Sequence, residues 1–184
     1  MSKGNSGLFK GTVGEKSENN IGINELINII KERTKDLDLR EHPIKNKELS
    51  KKKMKEIRKK IKKRTATKEE FHNYTWNKKI DKHRKEAVSH FWEEERIRLK
   101  KRLSGTRNWN EEQKKVIIAG KKKPKYKGKT LQGHHSYSVS LYPHLANKHE
   151  VIVPLSYTEH FKGWHGGNFK NSYPGKPIKF IIEF

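Results

Sequence analysis

Residues 131–139 read Leu131-Gln132-Gly133-His134-His135-Ser136-Tyr137-Ser138-Val139. This segment lies at the start of a region rich in β-branched, aromatic and histidine residues, and it is predicted to form a strand followed by a turn. Successive side chains of a strand point to opposite faces. We therefore expect one of His134 and His135 to bind a metal ion while the other faces a water molecule.

A second strand and a helix are predicted further along the chain. Residues 151–155 are apolar throughout and read as a strand, and Ser156 and Glu159 have the spacing of a capping box that opens a helix carrying His160. Six of the ten histidines lie between residues 134 and 165. Histidines on a strand and on a nearby helix suit one divalent metal ion, because imidazole is a common ligand of such ions.

A metal-dependent nuclease needs both a metal ion and a base. The metal ion polarises the scissile phosphate, and a neutral imidazole takes the proton from the attacking water. His165 follows His160 by five residues, whereas an ideal α-helix brings residues i and i+4 together. We expect His165 to join the site only where the helix is distorted or ends before it.

The chain as a whole is strongly basic. Its 184 residues contain 44 Lys and Arg against 21 Asp and Glu, a net charge of +23. This charge favours a nucleic acid as partner, because neutralised phosphates release their counterions. The hydrophobic content of 30% is too low for one compact core over the whole length. Cysteine is absent, which excludes disulfides and thiolate metal sites, and no apolar window is long enough to predict a transmembrane helix.

Three regions are expected along the chain. Residues 1–20 read as a flexible linker, residues 21–65 as a basic helical region, and residues 66–184 as the domain that holds the histidine cluster. Within the second region, apolar residues at helical spacing predict an amphipathic helix from about Ile23 to about Lys35.

Capping residues predict two further helices, and a basic loop follows them. Thr67 and Glu70 form a capping-box pattern, while Asn110 caps a short helix that Gly120 ends. The lysines of the loop lie just before the first strand, where they can grip phosphates that flank the site. These lysines are Lys121, Lys122, Lys123, Lys125 and Lys127.

Four short motifs in the histidine-rich region carry a family resemblance. They are Gly133-His134-His135, Pro154-Leu155, Glu159-His160 and Trp164-His165-Gly166-Gly167. Together they resemble the GHH-signature toxins of the HNH/endonuclease VII superfamily, over roughly residues 108–177. The resemblance implies a ββα-metal core at about residues 129–167. The expected fold class is therefore α+β, with a helical N-terminal region followed by a ββα-metal nuclease domain of the HNH type.

The resemblance also implies a role for each histidine. His134 matches the first metal ligand, His135 the general base that activates water, and His160 a second ligand. His165 would match a third ligand, at a wider spacing than in the family. The asparagine of the HNH pattern, which pins the loop so that the base is oriented, is assigned to Asn147. The implied cofactor is one divalent metal ion, either zinc, nickel, manganese or magnesium.

Members of this family are typically C-terminal tips of large bacterial toxins used against competing cells. We therefore expect a fragment of a larger secreted toxin that acts on DNA in the cytoplasm of the target cell. Residues 21–65 are expected to be the delivery or junction region that precedes such a toxin tip. An acidic cognate immunity protein is expected to silence it in the producing cell. Two alternatives remain open, an RNA-cleaving toxin of the same fold and a non-catalytic basic protein that binds nucleic acid. Charge alone does not separate them, whereas the histidines favour an enzyme.

Overall fold

Helices and two small sheets make up the described part of the chain, which in this computed structural model is the backbone of residues 14–184 and the side chains of residues 22–184. The α-helices are α1 (Gly14–Thr34), α2 (Lys51–Lys62), α3 (Lys68–Lys100) and α4 (Glu111–Ala119). The strands are β1 (Lys125–Tyr126), β2 (Lys129–Thr130), β3 (Gln132–His135) and β4 (Ile152–Leu155). Short 3₁₀ turns lie at Pro143–Leu145 and His149–Val151, and a π-helix, Glu159–Trp164, follows β4. This mixture of helix and sheet confirms the predicted α+β fold class.

Helix α1 begins earlier than the sequence predicts. Residues 14–20 are already helical, although they fall within the linker predicted for residues 1–20. The rest of that predicted linker lies outside the described residues. None of the helices described here is both long enough and apolar enough to cross a membrane.

The predicted helix caps are confirmed. Glu70 N donates to Thr67 Oγ1 at 3.1 Å and Thr67 N donates to Glu70 Oε2 at 3.2 Å, which completes the capping box of α3. Asn110 and Gln113 cap α4 in the same way, at 2.9 and 3.1 Å. Gly120 ends α4 in the left-handed conformation at φ 68°, where a glycine avoids the strain of a Cβ atom.

Strands β3 and β4 pair antiparallel, and helix α3 supports one face of the pair. Gly133 lies opposite Pro154 and His135 lies opposite Ile152. Ala87 and Phe91 of α3 share a buried cluster with Ile152. The predicted strand over residues 151–155 is confirmed, and all of β4 is buried because helices cover both of its faces.

Helix α1 covers the other face of β4. Side chains alternate along a strand, so the residues next to Ile152 and Pro154 face away from α3. They share a buried cluster with α1 and the π-helix, formed by Leu26, Ile30, Val153, Leu155 and Trp164. Part of the region predicted for residues 21–65 therefore shares a core with the histidine-rich region. Its assignment to delivery or to a junction remains a prediction.

A side chain at Gly133 would collide with α3. A Cβ atom at this position would lie 2.9 and 3.0 Å from the two methyl carbons of Val88, and 3.3 Å from Cγ2 of Ile152. The close approach of β3 to α3 therefore requires glycine, and this gives a physical reason for the first letter of the GHH motif.

Gly133→Ala should lower the free energy of unfolding by about 1–3 kcal/mol, as overpacking does in a close-packed interior. Val88→Ala removes both methyl carbons that the new Cβ would meet, so the double variant should recover part of the loss. Urea unfolding of the wild type, the two single variants and the double variant measures the coupling. Losses that simply add in the double variant would contradict the packing explanation.

Candidate metal centre

Three histidine side chains meet where β3 approaches the π-helix. His134 extends from β3, while His160 and His165 extend from the π-helix and from its C-terminal end. His134 Nδ1 lies 2.9 Å from His160 Nε2, and His165 Nε2 lies 3.2 Å from the same His160 nitrogen. The structure thus brings together the three residues that the sequence proposed as metal ligands, with their nitrogens within 4.8 Å of one another.

The π-helix accommodates the five-residue spacing of His160 and His165. The backbone N–H of His165 donates to the His160 carbonyl oxygen at 3.1 Å, which is an i→i+5 hydrogen bond. A turn of π-helix takes up one residue more than a turn of α-helix, so residues i and i+5 come to lie on the same face. The predicted helix is therefore distorted in the way that lets His165 join the cluster.

Hydrogen bonds fix which nitrogen of His160 and His165 carries the proton. His160 Nδ1 lies 2.5 Å from Gln132 Oε1, and His165 Nδ1 lies 2.6 Å from the backbone oxygen of Asn171. A carbonyl oxygen can only accept, so each Nδ1 is the donor. In the neutral imidazoles both Nε2 atoms then carry the lone pair.

Two nitrogen lone pairs therefore face each other across 3.2 Å, an arrangement that repels unless a cation is shared between them. Nitrogens bound tetrahedrally to one zinc ion at about 2.0–2.1 Å lie about 3.3 Å apart. The two short distances in the cluster, 2.9 and 3.2 Å, are close to that separation. The oxygens that hold the Nδ1 protons are typical of the groups that orient metal-binding histidines. The donor set thus fits a divalent ion with an affinity for nitrogen, whereas magnesium prefers oxygen ligands.

His134 and His160 are also neutral at neutral pH, as metal binding requires. Burial lowers the pKa of His134 well below its ordinary value of 6.5, and it lowers the pKa of His160 to about 4. The charges of neighbouring imidazoles and of Arg84 act in the same direction, because like charges disfavour protonation.

His135 lies beside the cluster but contacts a different element. Its Nε2 atom lies 3.0 Å from the backbone oxygen of Ala146, so Nε2 must be the donor and Nδ1 keeps the lone pair. Burial lowers the pKa of His135 to about 4, which leaves the ring neutral at pH 7. The two adjacent histidines therefore have separate surroundings, as the alternation along a strand predicts.

The role predicted for Asn147 stays a prediction. Its side chain is exposed, and the group that holds the His135 ring is the backbone oxygen of the preceding residue, Ala146. The ring of His135 is thus positioned by a backbone carbonyl in the loop that Asn147 is predicted to pin.

A buried ion pair that the sequence analysis missed holds the start of the π-helix. Arg107 Nη2 donates to Glu159 Oε1 at 2.7 Å, and Nη1 donates to the Pro154 backbone oxygen at 3.1 Å. The two side chains are only 3% and 1% exposed. Ser156 and Glu159 also form the predicted capping box, with bonds of 2.9 and 3.1 Å. The sequence gives one weak signal of this ion pair, because Arg107 is the only charged residue in the segment 103–110.

Arg107→Met should lower the free energy of unfolding by about 3–5 kcal/mol, because the Glu159 carboxylate would stay buried without a cation. Adding Glu159→Gln removes that charge, so the double variant should be more stable than Arg107→Met alone. Urea unfolding of the four proteins checks this order. If the double variant is the least stable of the four, the loss comes from packing rather than from an unpaired charge.

Two clefts meet at His135. One cleft, of about 970 Å³, contains the three-histidine cluster and is bordered by the start of α2 and the middle of α3. The other, of about 880 Å³, runs between α3 and the basic loop. Arg84 and Lys85 line both clefts together with His135. Their position was not predicted, because they lie in the middle of α3, about fifty residues before the site, with no local motif around them.

The lysines predicted to contact phosphates fall into two groups. Lys121, Lys122 and Lys123 line the second cleft. Lys125 and Lys127 are exposed on the β1–β2 hairpin, where Lys127 Nζ lies 5.2 Å from the centre of the Tyr126 ring. The first group therefore lies closer to the path that leads to His135.

An α+β domain in which a strand pair and a helix surround a histidine cluster is consistent with a nuclease domain of the HNH type. Residues 75–155 match the family described as GHH signature containing HNH/Endo VII superfamily nuclease toxin. The resemblance drawn from the sequence motifs is thereby confirmed. The match begins within α3, earlier than residue 108, and ends at Leu155, so it includes His134 and His135 but not the histidines of the π-helix. No curated protein and no solved structure matches the chain.

Proposed function

We propose that this chain is a metal-dependent endonuclease toxin that hydrolyses phosphodiester bonds of DNA. One divalent metal ion is held by His134, His160 and His165, and His135 is the general base. The observation that carries the proposal is the pair of Nε2 lone pairs that face each other at 3.2 Å beside a neutral, backbone-held imidazole. Hydrolysis uses both features, whereas a protein that only binds nucleic acid needs neither.

His134, His160 and His165 would hold the metal ion, which would supply a Lewis acid for the scissile phosphate and the leaving oxygen. His135 takes the proton of the attacking water at Nδ1. The Ala146 carbonyl holds the ring in place and stabilises the imidazolium that forms, because Nε2–H remains its donor. A pKa of about 4 keeps the base neutral before substrate binds. An anionic phosphate nearby raises this pKa toward neutrality, because an opposite charge favours the protonated form.

A nucleic acid substrate, for which we propose DNA, is favoured because basic side chains line both clefts that lead to His135. Arg84 and Lys85 stand between the two clefts, and the loop lysines line the second. These charges attract the phosphates of any nucleic acid, so an RNA-cleaving toxin with the same site is the alternative.

His135→Ala should lower the cleavage of supercoiled plasmid by at least about 100-fold, the lower end for loss of a general base. The same variant should keep its metal affinity, because His135 is not a ligand. His160→Ala should lose both metal affinity and cleavage. His90→Ala is the matched control, because His90 is exposed on α3 away from both clefts. A nicking assay with and without EDTA, together with calorimetric titration of zinc, nickel and manganese, measures both properties.

Four results would contradict parts of this proposal. Cleavage that persists in EDTA would contradict metal dependence. Loss of metal affinity in His135→Ala would show that the roles of His134 and His135 are exchanged. Degradation of total RNA with plasmid left intact would assign the site to RNA. Binding of plasmid without cleavage under any metal would favour the non-catalytic protein.

We also propose that the chain is delivered as part of a larger secreted toxin and acts in the cytoplasm of the target cell. The net charge of +23 suits an acidic immunity protein, because complementary charge speeds association and covers the phosphate-binding clefts.

Expression of the wild-type chain alone in a bacterium should stop growth, and the His135→Ala variant should permit it. Co-expression of the immunity protein encoded by the adjacent gene should rescue the wild type. Colony counts after induction measure both effects. Normal growth with a chain that is active in the nicking assay would contradict the toxin role and leave the nuclease role standing.

A further inference from the structure

The structure points to a stacking platform for unpaired nucleobases next to the three-histidine cluster. We infer that this platform is the row of rings formed by Tyr157, Phe161 and Phe169, hereafter the aromatic row. The inference rests on the proposed function and narrows it, because it requires unpaired bases beside the scissile phosphate.

The aromatic row is continuous and reaches the histidines. Tyr157 and Phe161 are stacked, with ring centres 5.8 Å apart and planes at 21°. Phe161 lies 4.8 Å from Phe169, whose ring is 5.4 Å from that of His160 and 5.1 Å from that of His165. A base on Phe169 would therefore lie next to the proposed metal ligands.

Two rings of the row are open to solvent. Tyr157 is 47% exposed and Phe169 is 53% exposed, although neighbouring residues of the π-helix are buried. Phe169 also lines the cleft that holds the histidine cluster. Aromatic side chains that serve only the core lie with both ring faces covered, so two exposed rings in one row at the edge of a site indicate a surface that another molecule covers.

Positive charges beside the aromatic row identify the class of that molecule. Lys129 Nζ lies 5.9 Å from the centre of the Tyr157 ring. Lys162 and Lys170 are exposed and follow Phe161 and Phe169 directly in sequence. Flat rings next to cationic side chains match a nucleic acid strand, which offers a base and a phosphate at every step.

The strand must be unpaired where it meets the row. In a double helix both faces of each base are covered by the neighbouring bases. Only an unpaired, flipped or terminal base can place a face on Tyr157 or Phe169. The aromatic row therefore favours single-stranded or locally opened nucleic acid over an intact duplex.

Binding measured in EDTA tests the inference without any cleavage. The probes are a labelled single strand of DNA, its duplex, and a strand of equal length made of abasic nucleotides. Tyr157→Ala should weaken binding of the single strand by about 5- to 100-fold, the range for one base stacked on an aromatic side chain. The same variant should leave the duplex and the abasic strand unchanged. Tyr157→Trp should keep the binding of the single strand that Tyr157→Ala loses. Phe71→Ala is the matched control, because Phe71 is 52% exposed on α3 outside both clefts.

The fluorescence of a base analogue gives a second measurement, which contacts to phosphates do not change. The fluorescence of 2-aminopurine in the single strand should fall on binding to the wild type and stay high with Tyr157→Ala. If Tyr157→Ala weakens the binding of the single strand and of the abasic strand equally, stacking is overturned. Stacking is also overturned if Tyr157→Ala binds every nucleic acid probe as the wild type does but binds an acidic protein partner more weakly. Stacking by a protein that cleaves no nucleic acid with any metal would support the platform while overturning the proposed function.

Discussion

The buried ion pair between Arg107 and Glu159 is the interaction on which the geometry of the site depends. Arg107 joins the end of β4 to the start of the π-helix, through the Pro154 oxygen and the Glu159 carboxylate. Glu159 also accepts the backbone N–H of Glu183, at 2.9 Å, which ties a further segment to the same point. The next residue, His160, is the central member of the histidine cluster. The position of His160 is thus set by a charge pair that itself has no contact with the cluster.

Backbone oxygens orient two of the histidine rings at this site, a role that side chains usually have. The Asn171 carbonyl fixes the proton of His165 and the Ala146 carbonyl fixes that of His135. Of His135, His160 and His165, His160 alone has its proton fixed by a side chain, Gln132. A backbone group orients a ring whatever residue carries it, so the positions 146 and 171 carry little sequence signal even though both are essential to the arrangement.

This difference explains which features could be predicted from the sequence. The capping boxes at Thr67 and Ser156 were predicted, because a cap depends on two residues three positions apart. The two strands were predicted from their composition, and the histidine cluster from the motifs. The π-helix was not predicted, because no local pattern distinguishes it from an α-helix, and only the five-residue spacing pointed to a distortion. Arg107, Arg84 and the packing of α1 on β4 depend on contacts between distant parts of the chain, which local patterns do not record.

The sandwich of β4 between α1 and α3 has a consequence for the order in which the protein forms during synthesis. Leu26 and Ile30 find their partners in β4 and in Trp164, more than a hundred residues later. The histidine cluster takes one side chain from β3, two from the region of the π-helix, and a supporting oxygen from Asn171. Helices α1 to α3 leave the ribosome long before any of these residues, so the nascent chain carries no assembled histidine cluster until Asn171 has emerged. Contacts of such long range also slow folding, and the cluster accordingly forms later than the helices that support it.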